Sequence, residues 1–392
     1  MTLVLQGGRV IDPATETDRI ADVVVEDGAI VEVGPGASAA HAGAEVRDCT
    51  GLLVTPGLID QHCHVFGGLG DFCLEPDQVG VRHGVPILVD GGTSGIATFD
   101  VSRRAWIDHP DVATKVYAFL DANQLYLATK DFICHKLEIA NDLRNLDVDA
   151  ARESFERHAD IGVGFKVRAC HVGEDESRSP FLEAAQDVAG NKPVMVHLGR
   201  FPFTPTISTP DLLRVLRPGD IITHAFRGAG GMIGEDGKVI AEFRDAVDRG
   251  VRLDVGHSGT DFRFRDARRL MDQGYLPDTI STDLNVFNLE GPVFTLAATM
   301  SKIWHLGVDL PDVISMATLN PARSIGRLDE VGSLAPGRTA HVSVMEIAEE
   351  PTELSDGKVT EIAERVLRPV GCLAAGTWHD ADGVTHPPRA AA

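Results

Sequence analysis

The sequence predicts an α/β protein: a (β/α)8, TIM-like barrel in the middle of the chain and a small β-domain assembled from both ends. Three observations lead there. From Gly57 to about Gly326, strand-like apolar runs alternate with helix-like runs, the pattern of a parallel sheet wrapped by helices. Eight such strands can be placed at a spacing near 30 residues, as expected when eight βα units fill about 250 residues. Outside that stretch the texture changes to short alternating runs broken by turn residues, at both termini and not between them.

Taken in order, Leu3-Val4-Leu5, Val10-Ile11, Ala21 to Val25 and Ile30 to Val33 are separated by Gly7-Gly8, Asp12-Pro13, Asp27-Gly28 and Gly34-Pro35-Gly36, which reads as β-hairpins. A similar texture returns after Arg327, with strands expected over His341 to Met345 and Arg365 to Val370. The expected division is therefore 1–54 and 327–392 for the two parts of the β-domain and 55–326 for the barrel.

The eight barrel strands are expected at Leu58 to His62, Ile87 to Asp90, Val116 to Leu120, Val163 to Val167, Val194 to His197, Ile221 to His224, Val251 to Val255 and Thr279 to Asp283. Helices are expected between them, among others over Ile96 to Ile107, Ala150 to His158, Phe181 to Val188, Pro210 to Leu216, Val239 to Val247 and Arg265 to Met271. Thr209-Pro210 reads as a helix start, a capping hydroxyl followed by proline at the first helical position. Val293 to His305 is long enough to close the barrel from outside, and Asp309 to Leu319 follows it. An insertion from Asn123 to Asp149 separates the third and fourth strands and is expected in the wall of the site.

Composition narrows the class. With 392 residues, 43% hydrophobic and 24% charged, the chain matches a folded globular protein rather than a disordered one. No apolar run approaches the roughly 20 residues of a membrane-spanning helix, and the start lacks the pattern of a signal peptide. A cytoplasmic location is the expectation. A net charge of −22 would repel nucleic acid and anionic membrane, so neither is an expected partner. The six cysteines contain no C-x-x-C pair and read as buried small hydrophobes rather than disulfides or a zinc knuckle. The oligomeric state stays open, a homo-oligomer included.

Chemistry concentrates at the strand ends. In Leu58-Ile59-Asp60-Gln61-His62-Cys63-His64 the two histidines share one face of a strand, at chelating distance, while Cys63 points away. Lys166, His197, His224 and Asp283 stand at the ends of the fourth, fifth, sixth and eighth strands. From His64 to Lys166 is 102 residues for three units, from Lys166 to His197 is 31 for one, from His197 to His224 is 27 for one, and from His224 to Asp283 is 59 for two. That regularity puts all six on the C-terminal rim, where barrels of this type carry their active sites.

On these residues the chain resembles the amidohydrolase superfamily of metal-dependent hydrolases. The motifs are Pro56-Gly57-Leu58-Ile59-Asp60-Gln61-His62-Cys63-His64, Gly164-Phe165-Lys166, Val194-Met195-Val196-His197, Ile221-Ile222-Thr223-His224 and Ser281-Thr282-Asp283, with Thr318-Leu319-Asn320-Pro321-Ala322 and Gly332-Ser333-Leu334-Ala335-Pro336-Gly337-Arg338 behind them. The resemblance covers nearly the whole chain. It implies that the terminal β-domain is a β-sandwich and that the rim holds two divalent ions, usually zinc. His62, His64 and Asp283 would hold one ion and His197 and His224 the other. Lys166, carboxylated by CO2, would bridge them together with a hydroxide, and Asp283 would also act as general base and acid.

Three further positions are weaker candidates. Arg227, three residues beyond His224, is placed to grip a substrate carboxylate or else is a solvated surface arginine. His257, just past the seventh strand, would either bind substrate or satisfy loop backbone. Cys170 and His171 follow Lys166 closely enough to face the pocket.

The runs Ser281-Thr282-Asp283-Leu284-Asn285, Gly291-Pro292-Val293-Phe294-Thr295-Leu296 and Thr299-Met300-Ser301-Lys302 are similar to the deacetylase group near the dihydroorotases. That resemblance implies cleavage of an acyl, above all acetyl, ester or amide of a small α-hydroxy or α-amino carboxylic acid. A cyclic amidase, opening a dihydroorotate-like or hydantoin-like ring, is the alternative. A non-catalytic scaffold that keeps only the fold is a third reading.

Overall fold

The computed structural model describes residues 2–124, 142–199, 205–228, 230–382 and 384–390. Most of the insertion expected at 123–149 lies outside the described residues. Seven parallel strands run side by side in sequence order: Ile59–Cys63, Ile87–Gly95, Lys115–Asp121, Gly162–Val167, Val194–His197, Ile221–Thr223 and Arg252–Leu253. Where an eighth strand is expected, the chain makes only two isolated parallel bridges, Thr279 to Asp254 on one side and Leu284 to Cys63 on the other. The barrel thus closes through an irregular segment. The departure has a local cause, since Asp283 takes a left-handed φ of 53° that a regular strand cannot contain.

Below the rim the barrel is plugged by Ile59, Ile87, Val89, Tyr117, Phe119, Val163, Met195 and Ile221, all fully buried. Each large side chain sealed there contributes about 1.5–3 kcal/mol of hydrophobic stabilisation. Polar ligands therefore sit on an apolar floor, open only toward the loops.

Helices cover the outside where the periodicity places them, including Val148–Arg157, Pro180–Ala189, Thr209–Val215, Ala241–Asp248 and Phe264–Met271. In the last of these, Phe264, Ala267 and Leu270 face inward at three-residue spacing and Arg265, Arg268 and Arg269 face out. The start of the 209–215 helix differs from expectation. Ser208 is the cap, its hydroxyl accepting from Asp211 N, while Thr209 donates its hydroxyl to Gly230 O across a loop.

Both termini enter one eight-stranded sheet, in which Val342–Ala348 pairs antiparallel with Leu53–Pro56 and with Val366–Ala374. Thr2–Asp12 pairs in turn with Leu53–Pro56, Thr17–Glu26 and Glu45–Asp48. This sheet rests on the barrel through helix Leu296–His305, buried from Leu296 to Trp304 because it is covered on both sides. Ser301 Oγ accepts the backbone N–H of Leu367 at 2.9 Å, tying that helix to the sheet. Among the described residues no helix is long and apolar enough to cross a membrane.

Candidate metal centre

The six rim residues converge. Lys166 Nζ lies 3.0 Å from His62 Nε2, and Asp283 Oδ1 lies 3.5 Å from His62 Nε2 and 3.0 Å from His64 Nε2. His224 Nε2 is 4.0 Å from Asp283 Oδ2, and the rings of His197 and His224 meet edge to face with centroids 4.3 Å apart. The nitrogen and oxygen atoms of His62, His64 and Asp283 that could hold an ion all lie within 4.8 Å of one another.

Closure of the barrel produces this meeting. The Asp283 N–H donates to His62 O at 2.6 Å and the His64 N–H to Leu284 O at 3.0 Å, so the first strand and the irregular eighth segment are in register at the ligands themselves. Asp60 reinforces the joint by accepting from the Thr282 N–H and hydroxyl. His224 and Asp283 both have left-handed backbones, φ 66° and 53°, which costs of order 1–3 kcal/mol each and is typical of functional sites. Space is made by glycine. A Cβ on Gly91 would come within 2.3 Å of His62 Cδ2, and one on Gly92 within 2.4 Å of Lys166 Cβ.

Electrostatics favour neutral ligands. Burial pushes His62 and His197 well below the usual histidine range, helped by the charge of Lys166 on the first and of Arg168 on the second. His224 is lowered by burial as well. Burial also lowers Lys166, to about 8, with Arg168 assisting and Asp283 opposing. A lysine so placed is neutral, and so nucleophilic, far more often near neutral pH than an ordinary lysine.

Hydrogen bonds decide which ring nitrogen faces inward. His224 Nδ1 donates to Gly256 O at 2.6 Å, leaving Nε2 as a lone pair turned toward the centre, where that atom has no hydrogen bond among the described residues. The same holds for Asp283 Oδ1. Acceptor atoms turned toward one another repel in a buried site, and a divalent cation among them converts the repulsion into coordination. Imidazole and carboxylate are the donor set that zinc takes. The residues therefore fit a metal centre.

Arg227 Nη1 donates to Leu198 O at 2.6 Å and pairs with Asp261 Oδ1 at 3.0 Å, so the guanidinium is held rather than solvated. With His197, Thr206, Thr209 and others it lines a cavity of about 440 Å³. His257 requires a correction. Its ring is fully buried against Phe262, its Nδ1 accepts from the Gly259 N–H at 3.0 Å and its Nε2 meets Lys302 Nζ at 2.7 Å, so neither nitrogen is left for a substrate. Cys170 is also sealed in the core, its thiol pushed up to about 12 by burial. Arg168 is the residue that sequence reasoning missed. It stands two positions beyond Lys166, and strand alternation alone would have put it on the same face.

An α/β barrel with this rim defines a hydrolase of the amidohydrolase type, and comparison with known proteins agrees. The amidohydrolase family profile matches residues 237–365. A deacetylase of Agrobacterium fabrum is 34% identical over 352 residues, covering 88% of this chain and 82% of that protein. A deacetylase of Enterococcus faecalis is 29% identical over 84% of this chain and 87% of its own length. Among solved structures, a dihydroorotase superposes with a TM-score of 0.82 at 27% identity, covering 97% of this chain and 98% of that one. The chain belongs to the amidohydrolase family and is a hydrolase acting on C–N bonds.

Proposed function

We propose that the protein is a dinuclear metal-dependent hydrolase that removes an acyl group, acetyl in the first instance, from the amide or ester of a small α-hydroxy or α-amino carboxylic acid. The observation that carries this is the convergence of five ligand-type side chains around the Lys166 amine, whose pKa burial has lowered to about 8, in a chain similar along most of its length to deacetylases.

On this reading His62, His64 and Asp283 hold one divalent ion and His197 and His224 the other, with zinc the metal the donor set favours. Lys166, as the carbamate formed with CO2, would supply a further anionic ligand. When bound, two such ions supply an ionisable water near neutral pH and a Lewis acid for the carbonyl. Asp283 takes the proton of the attacking water on a carboxylate oxygen and hands it to the departing nitrogen or oxygen. The buried floor and the lowered histidines keep that proton from being lost to a neighbour. Arg227 orients the substrate carboxylate in the adjoining cavity, and Arg168 adds positive charge on the same side. The partner is a small acidic molecule; a net charge of −22 disfavours nucleic acid and membrane. In the same reading 55–326 forms the catalytic domain, and 1–54 with 327–392 form a β-sandwich.

Ring opening by a cyclic amidase is the second reading, favoured by the likeness to the dihydroorotase structure. One screen separates them: N-acetyl and O-acetyl acids of both hands beside dihydroorotate and hydantoins, with metal counted on the same preparation. Deacylation, with close to two ions per chain and loss of activity on chelation, is expected. Ring opening without deacylation would exchange the two readings, and full hydrolysis by metal-free protein would sink both. An inert, metal-free preparation would leave the scaffold reading.

A further inference from the structure

Two of the four ligand histidines share a support that His224 does not. His62 Nδ1 meets Thr223 Oγ1 at 2.8 Å, and that hydroxyl donates to Asp254 Oδ2 at 2.8 Å. His64 Nδ1 meets Thr93 Oγ1 at 2.7 Å, and that hydroxyl donates to Asp90 Oδ2 at 2.7 Å. The two relays come from different strands and loops, yet they have the same order of groups and nearly the same lengths. His224, in contrast, donates to the backbone carbonyl of Gly256.

Donor counting fixes the proton along each relay. Asp254 is fully buried and accepts from Gln61 Nε2, Thr279 Oγ1 and Ser281 Oγ as well as from Thr223. Asp90 accepts from the N–H groups of Val65 and Thr93 and from the Thr93 hydroxyl. Each threonine has one hydroxyl proton and has given it to a carboxylate, so its oxygen can only accept from the ring. Nδ1 of both histidines is then the protonated nitrogen, and both Nε2 lone pairs face Asp283. A carboxylate touching the ring directly would do the same work, but here Asp254 stays 4.0 Å from His62 Nδ1 with the threonine between.

We infer that Thr93 with Asp90 and Thr223 with Asp254 are matched positioning pairs that set the affinity of the ion shared by His62, His64 and Asp283, leaving the ion at His197 and His224 to other supports. The inference rests on the metal reading given above. Partners that orient a ligand histidine typically change metal affinity 10–100-fold when removed.

Valine replaces threonine with nearly the same shape and no hydroxyl. Asp90 would keep two backbone donors and Asp254 three side-chain donors, so neither carboxylate would be stranded. The test is to challenge the full chain, purified with its metal, with a chromophoric zinc chelator and to follow the ions released step by step. Thr93→Val and Thr223→Val should each weaken one ion by roughly 10–100-fold and leave the other at its wild-type affinity. Thr93→Ser and Thr223→Ser, which restore the hydroxyl, should restore the first ion. Unchanged release in both valine variants, equal weakening of both ions, or failure of serine to rescue overturns the inference while the metal reading stands. A wild-type chain that releases no metal overturns the metal reading and this inference with it.

Discussion

The Lys166 amine sits 3.0 Å from His62 Nε2, a ring nitrogen whose partner nitrogen already donates on the opposite side. The amine must therefore be the donor in that contact. One donor of a neutral amine suffices, and burial favours the neutral form by lowering its pKa to about 8. The lone pair left over is what would attack the carbon of CO2, with one N–H proton leaving as the carbamate forms.

Replacing that amine tests the bridge. Lys166→Ala should lose most of its metal and activity, and a short carboxylic acid such as acetate should partly restore both by entering the space as an anion. Metal analysis with and without acetate measures this. A variant with its full complement of metal and no response to acetate would show that no anionic bridge is needed.

Arg227 is held by Asp261 and Leu198 O beside His197 rather than waving in solvent. Arg227→Met should leave metal content unchanged, since the guanidinium bonds Leu198 O and Asp261 rather than a ligand side chain. A charge-assisted contact is worth about 1.5–3 kcal/mol, so kcat/KM for an acidic substrate should fall at least roughly tenfold. An uncharged ester should be barely affected. Equal losses on both substrates would make Arg227 structural.

Gly91 tests the fit of the centre without touching a ligand. In Gly91→Ala the new methyl meets His62 Cδ2 at 2.3 Å, and the ring must move. Overpacking of this kind costs about 1–3 kcal/mol. Thermal unfolding should show that loss, and metal content should fall with it. An unchanged Tm with full metal would mean that His62 has room which the geometry denies it.

Lys302 carries a pH prediction independent of metal. His257 accepts from Gly259 N–H on Nδ1, so its proton is on Nε2 and points at Lys302 Nζ, which must accept it as a neutral amine while donating to Pro292 O. Burial lowers this lysine to about 7 from the ordinary 10.5. Between those two values the unfolded chain binds a proton that the folded chain does not, so stability rises with pH across that window. One such group adds about 1.4 kcal/mol per pH unit. Urea unfolding near pH 7.5 and 9.5 should show a steeper rise for the wild type than for Lys302→Met. Equal slopes would mean that Lys302 is charged in the fold.

Much of the site is legible because its cause is local. His62 and His64 share a face by the two-residue period of a strand, and the 102-, 31-, 27- and 59-residue intervals count βα units. Arg168 was equally available to that rule. His257 was not, because position at a rim says nothing about which way a ring turns once Lys302 arrives from a helix 45 residues on. The cap at Ser208 shows the same limit on a smaller scale, since the adjacent hydroxyl of Thr209 is claimed by Gly230 O from another loop.

The sequence by itself determined the alternation of strands and helices, the pairing of the two ends in a β-domain and the identity of the six ligand-type residues, because periodicity and spacing are properties of neighbouring positions. Tertiary structure alone decided that the eighth strand breaks at Asp283, that Gly91 and Gly92 clear space for His62 and Lys166, and that Thr93 and Thr223 stand between ring and carboxylate. The threonine–histidine contacts join residues 29 and 161 positions apart, and only closure of the barrel, which sets every strand's register against the next, brings them within a hydrogen bond of each other.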